Sequence, residues 1–180
     1  MIRLLKHPMF TVGVRYGLIS GFMCLCLVIT FYYFGKSPML INPYTDFRIL
    51  LFGALIFFLL KELRDYYFVE AMYFWQGMGA SFVFILSTVL ISSLGIIILG
   101  NISPDFLTQY TTQLNEQLLR LPAETIEQIG NDVYNNNLKL IPKTTLGDVA
   151  LVYTIQSFII GFFVSIIMSV FLKRAPTLEK

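Results

Sequence analysis

Residues Ala71–Pro104 read AMYFWQGMGASFVFILSTVLISSLGIIILGNISP, thirty-four residues without a charge. A helix rises 1.5 Å per residue, so about 20 residues cross a hydrocarbon core of about 30 Å. The run is longer than one crossing needs. Its membrane-buried part is expected at about Gly77–Gly100, with the aromatic stretch Tyr66–Trp75 at the bilayer surface. No soluble fold needs such a run, and it sets the reading of the remaining chain.

Two further runs have the same character. Tyr16–Gly35 is uncharged between Arg15 and Lys36 and ends in Phe31, Tyr32, Tyr33 and Phe34, an aromatic belt. It is long for the apolar part of a cleaved leader, and no Ala-x-Ala site follows it. Val149–Leu172 is uncharged for twenty-four residues; Thr145 and Asp148 open it with capping-box spacing, and Lys173 and Arg174 close it. A fourth, weaker segment has an uncharged core of only twelve residues, Ile49–Leu60. Asn42 and Pro43, read as N-cap and first helical residue, extend it to about 43–61, with Arg48 snorkelling near one end. A re-entrant hairpin is the alternative for this segment.

Composition agrees. Of 180 residues, 56% are hydrophobic and 13% charged, against about 25% charged in a soluble domain. A net charge of +2 leaves no basic footprint for nucleic acid. Cys24 and Cys26 lie about 200° apart on a helix, too divergent for a disulfide, and read as packing residues.

The segment of about 101–147 is polar by comparison. Ser103-Pro104-Asp105 is a helix start, and Leu107, Tyr110, Leu114, Leu118 and Leu121 follow on one face. Pro122-Ala123 restarts a second short helix carrying Ile126, Ile129 and Val133, and Asn135–Asn137 reads as its break. The expected fold is therefore all-α and polytopic. It is a four-transmembrane-helix bundle, spans about 13–35, 43–61, 77–100 and 149–172, with an extracytoplasmic helical hairpin between spans three and four. Eight of the thirteen Lys and Arg residues fall on the side holding both termini, and seven of the eleven Asp and Glu on the other. The positive-inside rule makes the first side cytoplasmic.

The search for chemistry yields no catalytic, cofactor-binding or metal-binding set. One histidine, His7, and no charge in the middle third of any expected span leave little for proton relays or metal ligation. The clearest pattern is one of small residues four apart. Gly13, Gly17 and Gly21 lie in the first span, Gly77 and Ser81 in the third, and Ser157, Gly161, Ser165 and Ser169 in the last. Such stripes let helix backbones approach closely, within one bundle or between proteins. Two ion pairs are expected at the membrane surfaces, Arg15 with Glu70 and Arg48 with Asp148.

Lys61–Asp65, the turn Phe74-Trp75-Gln76-Gly77 and Ile102-Ser103-Pro104-Asp105-Phe106-Leu107 together resemble a family of small bacterial inner-membrane proteins. That family has four spans and is catalogued only as a domain of unknown function; it usually carries Asn where Ser103 stands. The resemblance implies a multi-pass protein of the bacterial inner membrane, with the outer hairpin in the periplasm. It implies no activity. It points to envelope assembly beside another inner-membrane protein, a polyprenyl-phosphate glycosyltransferase being one candidate. Three functions follow in order of expectation: a non-enzymatic accessory or scaffold subunit, a small oligomeric transporter or channel, and a membrane enzyme on a lipid-linked substrate.

Overall fold

The computed structural model describes residues 7–41, 45–69 and 71–174. Seven α-helices occur among them: α1 (Pro8–Tyr33), α2 (Phe47–Glu62), α3 (Phe74–Ile102), α4 (Asp105–Leu119), α5 (Ala123–Ile129), α6 (Asn131–Leu140) and α7 (Leu146–Leu172). The only extended pairing among the described residues is one antiparallel bridge, Met72 to Arg174. Three helices, α1, α3 and α7, are long and apolar enough to cross a membrane. This is the make-up of a helical membrane protein.

The core helices are apolar around most of their circumference, so periodicity does not say which face packs. Small residues do. Helix α3 lies between α1 and α7, its two most extensive partners, and α2 packs against α7 and α1 on the opposite side. Phe52 and Ile56 of α2 and Phe84 and Ile96 of α3 are fully buried between them. Large residues on the outward faces, such as Phe22, Leu90 and Phe163, remain about 60% exposed, a surface suited to lipid tails.

Local chemistry ends the helices. Gly35, at φ +69°, lets the chain turn after α1, and Lys36 N–H donates to Phe31 O at 2.9 Å, a glycine-terminated C-cap. Thr145 and Asp148 do form a capping box at the start of α7. Gln76 reaches back to accept from the Tyr73 amide at 2.9 Å and caps α3.

Three expectations need correction. The second apolar helix does not start at Pro43. It starts at Phe47 with Asp46 as N-cap, and Asn42 and Pro43 lie outside the described residues. Its sixteen residues rise only about 24 Å. The segment between α3 and α7 is not a two-helix hairpin but three helices. Its break is at Gly130, at φ +93°, while Asn135–Asn137 continue α6. Asparagine favours turns, but a glycine in a conformation closed to other residues is the stronger breaker.

Gly130 yields a direct test. Gly130→Ala forces an L-residue into that conformation, at a cost on the order of 1–3 kcal/mol. Helices α5 and α6 bury no residue, so the loss is expected to stay local. Proteolysis near Gly130 should accelerate while the melting temperature of the bundle stays unchanged. A lowered melting temperature would show that this turn is coupled to the core.

Candidate functional site: a buried arginine between two helices

Charge inside an apolar bundle is costly, so a buried arginine is the feature most in need of explanation. Arg48 stands in the first turn of α2, and its side chain is only 7% exposed. Measured on α2 alone it is a terminal residue. Measured on α7 it is deep, because its partners Gln156 and Ser157 lie ten and eleven residues after Leu146, about 15 Å along that helix. Arg48 is therefore buried among protein groups rather than held at the end of its helix.

The guanidinium is almost fully bonded. Nε donates to both carboxylate oxygens of Asp46 at 2.9 Å, Nη2 to Gln156 Oε1 at 2.9 Å and Nη1 to Ser157 Oγ at 2.9 Å. Its plane lies over the Tyr153 ring, 4.5 Å from the centroid, a cation–π contact. Tyr153, Gln156 and Ser157 share one face of α7 because three- and four-residue steps stack on a helix. Gln156 also donates to Met39 O at 3.1 Å. The connection from α1 to α2 is thereby tied into the same centre.

Asp46 reaches Arg48 although the two are only two residues apart, which on a helix would turn them away from each other. As N-cap it is extended, at φ −71° and ψ 117°. Its carboxylate folds back over the first turn, accepting from the Arg48 amide at 2.9 Å as well as from the guanidinium. Arg48 thus takes Asp46 as its partner, not Asp148. The expected Arg48–Asp148 pair is replaced, and Asp148 is exposed and bonded to Thr145 N and Oγ1 at 2.8 and 2.7 Å. A short-range capping geometry satisfied each carboxylate before a long-range partner was needed.

At the other end of the bundle Arg15 is paired with Glu62, and the Tyr16 hydroxyl donates to the same Glu62 oxygen at 3.0 Å. The partner expected for Arg15, Glu70, lies outside the described residues.

The small-residue stripes sit at contacts within the chain. A Cβ on Gly13 would lie 2.9 Å from Ala80 O, one on Gly17 2.6 Å from Ser87 Cβ, and one on Gly21 2.6 Å from Ile91 Cβ, so α1 rests on α3 along the whole stripe. On α7, Gly161 faces Ile85, and Ser169 faces Gly77 of α3. Ser157 departs from this stripe by serving Arg48. Ser165 donates to Gly161 O at 2.6 Å, and Ser81 is fully buried. Its hydroxyl has no hydrogen-bond partner among the described residues, whereas others on α3 are engaged: Thr88 donates to Gly17 O at 3.2 Å, Ser92 to Thr88 O at 2.8 Å, and Ser93 pairs with Thr154 at 2.7 Å. Cys24 is buried and Cys26 exposed, and neither is in a disulfide.

Outside the core, α4 lies across the α1–α2 connection. Gln113 donates to Gly35 O at 2.8 Å and accepts from Ser37 N at 2.9 Å, and Gln117 donates to Leu40 O at 3.1 Å. Phe106 and Tyr110 anchor the helix, 4% and 5% exposed. This strap satisfies backbone groups that would otherwise be left unpaired beside the bundle.

Sequence reasoning missed Asp46, Tyr153 and Gln156 as members of the arginine centre. The available signal was a polar facet, Tyr153-x-x-Gln156-Ser157, inside an otherwise apolar run. A family model described as a protein of unknown function (DUF4199) matches residues 15–174 of the chain. No curated protein and no solved structure matches it.

Proposed function

This chain is a member of the DUF4199 family of proteins of unknown function, and we propose that it is a non-enzymatic accessory or scaffold protein of the bacterial inner membrane. The observation that carries the reading lies in the outer helices. Helices α5 and α6 bury none of their residues, yet Ile129, Val133 and Leu140 stand 44%, 49% and 58% exposed. Val133 and Leu140 are seven apart and share a face. Helices of seven and ten residues are marginal in water without a surface to pack on. That surface is supplied by a partner, another inner-membrane protein engaged in envelope assembly. The arginine centre serves this role indirectly, by fixing α2, α7 and the α1–α2 connection that the strap also binds.

The proposed topology has four crossings, with both termini cytoplasmic and α4–α6 outside. Helix α2 is short, but Met39 in the connection from α1 and Arg48 in the first turn of α2 are both buried, which supports a complete crossing. Reporters fused after Arg64 and near Lys36 are expected to read cytoplasmic and periplasmic respectively. Two identical readings would make the segment re-entrant.

The partner is tested by a photoreactive residue at Val133 in the full chain, irradiated in native membranes, with a lipid-facing control at Leu90. A discrete protein adduct is expected at Val133 and not at Leu90. A polyprenyl-phosphate glycosyltransferase is the first identity to look for in that adduct. A chain that yields no adduct at Val133 and purifies alone from mild detergent would sink the scaffold reading.

A further inference from the structure

We propose that the groove between α3 and α7 holds one acyl chain of an anionic phospholipid from the cytoplasmic leaflet, with its headgroup against Lys173. The groove has a volume of about 350 Å³ and runs from Trp75 past Gly79 and Phe82 to Ile85 on α3, walled on α7 by Phe158 and Phe162. From Trp75 to Ile85 is ten residues, about 15 Å of helix and half of a hydrocarbon core of about 30 Å. It thus has the depth of one leaflet.

A helix about 10 Å across would fill on the order of 1,200 Å³ over the same length, so the groove could seat only one edge of a helix, whereas a single acyl chain is slender enough to lie inside it. The lining is hydrocarbon and aromatic, and the hydroxyl on its wall, Ser165, is turned to Gly161 O of its own helix at 2.6 Å. Trp75 stands 79% exposed at the mouth, where an indole suits the interface.

Charge selects the headgroup. The bridge between Met72 and Arg174 holds the end of α7 beside the start of α3, which brings Lys173 and Arg174 to the mouth. Arg174 is held by its bond to Val69 O at 2.8 Å, while Lys173 is exposed. The carboxylates that α2 and its following turn bring to this end are occupied, Glu62 by Arg15 and Asp65 by Arg64 at 2.9 Å. Among the described residues of this end, Arg15, Lys61, Arg64, Lys173 and Arg174 outnumber the acids Glu62 and Asp65 five to two.

Only the choice of leaflet rests on the topology proposed above. The test does not read topology, so either idea can fail alone. The purified full chain is mixed with equal amounts of palmitoyl-oleoyl phosphatidylglycerol and phosphatidylcholine, and bound lipid is read by native mass spectrometry. One phosphatidylglycerol is expected to be retained in preference. A basic residue near a lipid surface contributes about 1 kcal/mol, so Lys173→Gln is expected to reduce the preference about fivefold. A Cβ on Gly79 meets nothing within 4 Å. Gly79→Phe therefore fills the groove without striking the bundle and should abolish retention of both lipids, while Gly79→Ala keeps it. Equal retention of the two lipids, or an unchanged preference in Lys173→Gln, overturns the headgroup assignment. Unchanged retention in a folded Gly79→Phe overturns the groove. If that variant fails to fold, lipid retention by the smaller Gly79→Leu reads the groove in the same way, and Lys173→Gln reads the headgroup.

Discussion

Asp46→Ala is expected to destabilise the protein by about 3–5 kcal/mol, because it strands a charge in a place water does not reach. Asp46 and Arg48 have side chains only 9% and 7% exposed. Removing the carboxylate leaves the guanidinium with two uncharged partners, Gln156 and Ser157. It also removes the N-cap of α2, worth about 1 kcal/mol in its own right. The penalty should fall mostly on the unpaired charge, so the double replacement Asp46→Leu with Arg48→Met is expected to recover most of it. Unfolding in mixed detergent micelles, followed by circular dichroism, measures all three proteins. A double variant no better than Asp46→Ala would mean that the polar links to Gln156 and Ser157, and not the charge balance, hold α2 to α7. An Asp46→Ala protein as stable as the parent would mean that water reaches Arg48.

Gly17→Leu is the second large effect. A Cβ at Gly17 would lie 2.6 Å from Ser87 Cβ and 2.7 Å from the Phe84 carbonyl oxygen. Backbone cannot swing aside as a side-chain tip does, so α1 must lift from α3 and lose close packing along its length. Overpacking costs typically 1–3 kcal/mol, and the backbone contact puts Gly17→Leu at the upper end, about 3 kcal/mol. Gly79→Leu is the internal control, since its Cβ meets open space and leucine is at home against lipid. The expected result is a lower melting temperature for Gly17→Leu and an unchanged one for Gly79→Leu. Equal effects would show that leucine disturbs these helices through something other than the α1–α3 contact. The control is silent on lipid retention, which is a separate measurement.

The two glycines show how far residue order can be read. Gly13, Gly17 and Gly21 recur every four residues, and that spacing announces a groove on α1 before any partner is known. Gly77 and Gly79 look alike in the chain, yet Gly77 meets Ser169 and Gly79 meets nothing. Spacing identifies a face; which helix covers it depends on crossings between elements far apart in sequence.

Charge obeys the same division. The capping of α7 by Thr145 and Asp148 was legible because it closes within three residues. The partner of Arg15 was not, because Glu62 lies forty-seven residues away on another helix. Arg48 shows the limit most sharply. Its distance from the end of α2 is a local quantity, and it suggested a snorkelling residue. Its depth is a property of α7, whose Gln156 and Ser157 meet it.

Length and hydropathy were enough to establish α1, α3 and α7 as apolar helices of membrane-spanning length, because a continuous apolar run needs no knowledge of its neighbours. The start of α2 at Phe47 behind its cap Asp46, the break at Gly130 and the burial of Arg48 were decided by the fold. A short helix is set by what surrounds it: the chain before α2 is bound by Gln113 and Gln156, and an arginine this deep is tolerated only where a carboxylate, an amide, a hydroxyl and an aromatic face converge on it.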